Sequence, residues 1–157
     1  MNPVALASDH GGYRMKELVK SALDEAGVSY KDFGTTSEDS CDYPDYAAPA
    51  ARAVSEGESE RAILCCGSGA GMAIVANKFP GVRAVNCYDE WSTLMSRQHN
   101  DANVMTIGGR SMEPDEARRL VRLWLETPFE GGRHSRRVSK ITGLERSHET
   151  AVSPPSP

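Results

Sequence analysis

The chain has 157 residues, about the size of one domain, and its 39% hydrophobic and 25% charged residues are ordinary for a globular protein. Its 18 Lys and Arg against 22 Asp and Glu leave a formal net charge of −4, which argues against nucleic acid as the main partner. The longest apolar stretch, residues 62–76, holds three glycines and a serine and is shorter than the roughly 20 residues a membrane helix needs, so no membrane partner is expected. Met1 leads directly into an apolar run, without the basic start, long apolar core and cleavage site of a secretory signal, and a cytoplasmic protein is expected. Cys41, Cys65, Cys66 and Cys87 include an adjacent pair that cannot bridge without strain and show no C-x-x-C spacing. They read as reduced thiols.

Residues 3–7 read as a short buried strand. Met15, Leu18, Val19, Ala22, Leu23 and Ala26 then recur at helical spacing until Gly27. Residues 28–33 form a second strand, and the turn-rich residues 34–40 lead through Asp42, Tyr43 and Pro44 into an alanine-rich helix that Gly57 closes. Residues 61–66 are a third strand running into a glycine-rich turn and a helix that carries Ile74 and Val75 and breaks at Pro80 and Gly81. A fourth strand at 82–86 precedes a helix over 89–100, with Trp91, Leu94 and Met95 on one face, and a fifth strand follows at 103–107. Glu113, Pro114, Asp115 and Glu116 make a good helix start, followed by Ala117, Leu120, Val121, Trp124 and Leu125 on one face. A last helix holds Val138, Ile141 and Leu144. Strands alternating with helices imply a doubly wound α/β fold, with a five-stranded parallel sheet covered by helices on both faces and a C-terminal helix added. Residues 1–147 are read as the domain, and the Pro- and Ser-rich residues 148–157 as a disordered tail.

In such sheets ligands bind beyond the carboxyl ends of the strands. Asp9 and His10 with Gly11 and Gly12 stand after strand one, either as a site or as a tight turn with an Asp cap. After strand three, Gly67, Ser68, Gly69, Ala70 and Gly71 open a helix whose free N–H groups suit an anion, although glycine-rich turns are common. This loop lacks the Lys of a phosphate-binding Walker loop and the Arg of a tyrosine-phosphatase loop. Cys66 stands where a hydrolase nucleophile elbow needs glycine, so Ser68 is not that kind of nucleophile. A thiol at a strand tip beside helix-start N–H groups is in a setting that lowers a cysteine pKa, which makes Cys66 a candidate base, with simple burial as the alternative. Cys65 should face the other side of the sheet and pack. His99 and Asn100 close the fourth helix, Arg110 follows the fifth strand, and Arg133 and Arg137 share a helix face at a spacing that suits a phosphate dianion or a solvated basic patch.

The ordered set of Asp9-His10-Gly11-Gly12, Asp42-Tyr43-Pro44-Asp45-Tyr46-Ala47, Cys66-Gly67-Ser68-Gly69-Ala70-Gly71, Ala76-Asn77-Lys78, Gly81-Val82-Arg83-Ala84, the run from Ser96 to Asn103 and Gly131-Gly132-Arg133-His134 resembles ribose-5-phosphate isomerase type B and its close relatives, the galactose- and allose-6-phosphate isomerases. The resemblance spans about residues 3–145. It implies a Rossmann-like subunit in a homodimer or dimer of dimers, with active sites built between subunits. It also implies aldose–ketose isomerisation of a phosphorylated sugar through an enediolate, without metal or cofactor. On this chain Cys66 would carry the proton between C2 and C1. Ser68 and the N–H groups of Gly67, Gly69, Ala70 and Gly71 would hold the developing oxyanion. Asp9 and His99 would assist ring opening, His10, Arg110, Arg133 and Arg137 would bind phosphate, and Tyr43 and Asn100 would line the sugar site. Ser68 stands where many relatives have Thr, which keeps the hydroxyl. Met72 stands where one branch has a Glu base, leaving the cysteine route. Two other functions compete: isomerisation of a six- or four-carbon phosphosugar, and a non-catalytic phosphosugar-binding module on the same fold.

Overall fold

The computed structural model of the protein describes residues 2–152. Five strands, β1 (Val4–Ser8), β2 (Tyr30–Asp32), β3 (Ala62–Cys66), β4 (Ala84–Asn86) and β5 (Val104–Gly108), form one parallel sheet in the order β2-β1-β3-β5-β4. The helices are α1 (Tyr13–Glu25), α2 (Tyr43–Ser55), α3 (Ala70–Ala76), α4 (Glu90–Gln98), α5 (Pro114–Glu126) and α6 (Arg133–Val152). This is a Rossmann-like doubly wound α/β fold. Among the described residues no helix is long and apolar enough to cross a membrane.

Strand alternation divides the core into two layers. Val4, Leu6, Ile63, Cys65, Met105 and Ile107 pack with α1 and α5, while Ala5, Ala7, Ala62, Leu64, Cys66 and Val104 pack with α2 and α3. On α2 the buried residues are Ala47, Ala50, Ala51, Ala53 and Val54, mostly small side chains that suit close approach to the sheet. Fully buried Leu6, Leu64 and Ile107 each stabilise the fold by about 1.5–3 kcal/mol. On α5 the buried stripe is Ala117, Leu120, Val121 and Trp124, as the periodicity implies. Lys16 of α1 is also buried. Its ammonium donates to both oxygens of Asp32 (3.0 and 2.8 Å) and to the Thr35 carbonyl (2.6 Å), tying α1 to the end of β2 and the loop after it.

Besides the fourth strand, which is Ala84–Asn86 rather than residues 82–86, three elements differ from the sequence reading. The second strand is three residues long rather than six, an edge strand whose Lys31 and Asp32 are exposed. On α4 the residues read as its apolar face are not the buried ones: Trp91 is 68% exposed, and Ser92, Thr93, Ser96 and Arg97 are buried. Local bonds make this tolerable. Thr93 Oγ1 donates to the Asp89 carbonyl at 2.7 Å, Ser96 Oγ to the Thr93 carbonyl at 2.7 Å, and Arg97 Nη1 to the Ala102 carbonyl at 2.6 Å. Finally, α6 continues to Val152, past the expected boundary at 147, because nothing between 148 and 152 breaks a helix. The prolines of the expected tail lie in residues 153–157, outside the described residues.

Candidate active site

The parallel register places Ser8 opposite Cys65 and Cys66 opposite Gly108, so the segments that follow β1, β3 and β5 meet at one end of the sheet. Buried Asp9 caps the short 3-10 turn His10–Gly12, its Oδ1 accepting the Gly12 N–H at 3.0 Å. His10 Nδ1 lies 3.2 Å from both the N and the O of Cys41, which leaves Nε2 for a ligand. The Gly109 N–H donates to the Cys66 carbonyl (2.7 Å) and the Arg110 N–H to the Gly67 carbonyl (3.0 Å). These bonds hold the Arg110 guanidinium against Gly67 and Gly11, with Nη2 3.4 Å from where a Cβ on Gly11 would stand. His10, Gly11, Glu38 and Arg110 line a polar cleft of about 290 Å³ here.

Cys66 ends β3, nearly buried, with its Sγ accepting the Gly69 N–H at 3.1 Å. Gly69 has φ +81°, and a Cβ there would collide with Asn86 Oδ1, so both conformation and space require glycine. Ser68 Oγ accepts the Ala70 N–H at 3.2 Å. Two of the N–H groups expected to hold an oxyanion, those of Gly69 and Ala70, are therefore engaged within the loop. The Tyr43 ring lies against Gly71, where an added Cβ would stand 2.8 Å from the ring. Cys65 faces the other layer, and burial, then its neighbour Cys66, pushes its thiol far above the ordinary range, so it stays protonated.

His99 and Asn100 lie elsewhere. Helix α4 starts beyond the carboxyl tip of β4 and runs back, so they emerge at the amino end of the sheet. The Asn103 carbonyl accepts the Ala62 N–H at 2.9 Å at the start of β3, and Asn103 Oδ1 accepts the Arg83 N–H at 2.8 Å. Asp101 adopts φ +45°, held by Arg97 (3.0 Å) and Arg83 (3.4 Å). The Glu130 N–H donates to the Gln98 carbonyl at 3.1 Å, bringing the start of α6 alongside. The His99 and His134 rings stack with centroids 4.1 Å apart, and Arg133 and Arg137 stand exposed on the same helix as His134. Burial, then His99 and Arg133, pushes the His134 imidazole below its ordinary range. The length of β3, roughly 13 Å from Ala62 to Cys66, separates this group from the thiol. One chain thus assembles Asp9, His10, Tyr43, Cys66, Ser68, the glycine loop and Arg110 at one end, and His99, Asn100, Arg133 and Arg137 at the other.

Four residues that the sequence reading gives no role contribute here. Asn86 donates to the Ser68 carbonyl at 3.2 Å and accepts from Thr106 Oγ1 at 3.3 Å; its place at the carboxyl tip of a strand is the available signal. Cys41 holds His10 through its backbone, which side-chain identity cannot reveal. His134 and Glu130 are four residues apart and flank His99, with one ligand atom of each of the three within 4.8 Å of the others.

The family model for ribose/galactose isomerase matches residues 4–141. Ribose-5-phosphate isomerase B of Escherichia coli is 44% identical over 146 residues, covering 93% of this chain and 98% of that protein. A D-erythrulose-4-phosphate isomerase of Pectobacterium atrosepticum is 36% identical over 151 residues, covering 95% and 99%. The solved structure of ribose-5-phosphate isomerase B from Clostridium thermocellum superposes with a TM-score of 0.91 at 43% identity, covering 93% of this chain and 99% of that one. The matches extend across nearly the whole chain, which belongs to the ribose/galactose isomerase family.

Proposed function

We propose that the protein interconverts D-ribose 5-phosphate and D-ribulose 5-phosphate, an aldose–ketose isomerisation through an enediolate in which Cys66 carries the proton between C2 and C1. The observation that carries this reading is the Cys66 sulfur at the tip of β3, accepting the Gly69 N–H at the end of the sheet where the segments carrying Asp9 and Arg110 also meet. Ser68 with the N–H groups of Gly67 and Gly71 holds the developing oxyanion, the stabilisation usually worth most in such sites. Asp9 and His99 serve ring opening, His10, Arg110, Arg133 and Arg137 hold the phosphate, and Tyr43 and Asn100 line the sugar. Because His99, Asn100, Arg133 and Arg137 stand at the far end of their own chain, they act on the Cys66 of a second copy, and the working unit is a homodimer or a dimer of dimers. Exposed Trp91, Tyr88, Ile141 and Leu144 give a second copy apolar surface to cover. Four free cysteines support a reducing, cytoplasmic setting.

The test is NMR of the purified protein with ribose 5-phosphate in heavy water. Formation of ribulose 5-phosphate with deuterium entering the carbons next to the carbonyl is expected. Turnover of a tetrose phosphate in preference, the reading favoured by the erythrulose-4-phosphate relative, would keep the mechanism and replace the substrate. Binding without turnover of any phosphosugar would leave a binding module.

A further inference from the structure

We propose that His99, Glu130 and His134 form a binding site for a borderline divalent transition-metal ion of the Zn2+ type, at the junction of α4 and α6. Two imidazoles and a carboxylate are the donor set such ions prefer, and one ligand atom from each residue already lies within 4.8 Å of the other two. Metal–ligand bonds of about 2 Å at tetrahedral angles set donor atoms roughly 3.4 Å apart. The His134 Nε2 to Glu130 Oε2 separation is 3.6 Å, so this pair needs almost no movement. His99 needs more, because its ring stacks on His134 with planes 12° apart, and a rotation about its Cβ–Cγ bond must turn its lone pair toward the same point.

The backbone around the three ligands is braced. The Glu130 N–H is bonded to the Gln98 carbonyl at 3.1 Å, next to His99, and Arg97 Nε is bonded to the Thr127 carbonyl at 3.3 Å, so the two segments cannot drift apart. Arg133 and Arg137 act electrostatically on His134. Their positive charge disfavours hard ions such as Mg2+, held chiefly by oxygen and charge, more than ions held by imidazole nitrogen. Three protein ligands leave the fourth position to water. The consequence for turnover rests on the proposed isomerase reading: an ion on His99 occupies the ring assigned to ring opening and inhibits reversibly. The binding itself does not depend on that reading.

The experiment is titration of the full-length protein, stripped of metal by a chelator, with Zn2+ by calorimetry and with Co2+ by visible spectroscopy. One ion per chain is expected, with Co2+ giving ligand-field bands and no thiolate charge-transfer band. Glu130→Gln should weaken binding roughly tenfold or more, His134→Gln should do at least as much, and Cys66→Ser should change nothing. Glu130 is exposed, so Glu130→Gln keeps the test decisive even if the buried His134 does not tolerate replacement. Absence of binding, affinity indifferent to Glu130→Gln, or a thiolate band lost in Cys66→Ser would overturn the proposal. If no phosphosugar turns over while this binding pattern holds, the isomerase reading falls and the metal site stands.

Discussion

Cys66 Sγ and the Gly69 N–H are 3.1 Å apart, which fixes the direction in which the thiol is presented at the mouth of the glycine loop. Replacing Cys66 by serine keeps the shape and an acceptor for that N–H but removes the thiol. Cys66→Ser should therefore melt within a few degrees of the parent protein while kcat falls by roughly 10²–10⁴, with deuterium wash-in lost in parallel. Turnover within a few-fold of the parent would take the base role away from Cys66.

Two glycines of the same loop should separate stability from binding. A Cβ on Gly69 faces both φ +81° and a contact of 2.9 Å with the Ile107 carbonyl carbon, neither of which can relax cheaply. Gly69→Ala should cost about 1–3 kcal/mol in urea denaturation. A Cβ on Gly71 meets the Tyr43 ring instead, and Tyr43 is 40% exposed and able to swing away. Gly71→Ala should leave stability nearly unchanged and raise KM. Equal stability losses in the two variants would contradict this division.

The contrast between α4 and α5 explains what the sequence can and cannot reveal. On α5 the periodic apolar residues are the buried ones, since a core-facing helix on a sheet needs that stripe. On α4 the apolar residues Trp91, Leu94 and Met95 are not the buried stripe, because the buried hydroxyls of Thr93 and Ser96 bond within their own turn and Arg97 bonds to backbone carbonyls. Periodicity cannot register polar groups satisfied in this way. The strand-tip residues Asp9, Cys66 and Arg110 are legible because chain order alone puts a segment after a parallel strand at the sheet's carboxyl end. The same rule places His99 at the other end, and only the resemblance joins it to Cys66. Lys16 is not legible, because its partner, Asp32, comes from the next strand.

The Lys16–Asp32 pair predicts a pH dependence of stability. Burial raises the Asp32 pKa, but hydrogen bonds from Lys16, Lys20 and the Gly34 N–H outweigh it and hold the carboxyl below its ordinary 3.8. A carboxylate with a depressed folded pKa stabilises the fold above its unfolded value, and that stabilisation is lost as pH falls through the lower folded value. Denaturation curves should therefore show stability falling below about pH 4. Asp32→Asn should cost about 3 kcal/mol at neutral pH by leaving Lys16 short of its counter-ion and should flatten the acid limb. An unchanged acid limb in Asp32→Asn would assign that limb to other carboxylates.

The separation of His99 from Cys66 within one chain leads to a complementation test. Cys66→Ala and His99→Ala should each abolish most activity alone. If each site pairs Cys66 of one copy with His99 of the other, a mixed dimer of the two variants carries one site with both residues intact and one with neither. Unfolding the two proteins together and refolding them gives mixed dimers for about half the population, so activity should return to about a quarter of the parent level. A site built within a single chain has no route to recovery, since every chain in the mixture lacks one of the two residues. Refolding each variant separately and then combining them, without exchange of subunits, should give no gain, which separates subunit sharing from contamination by active enzyme.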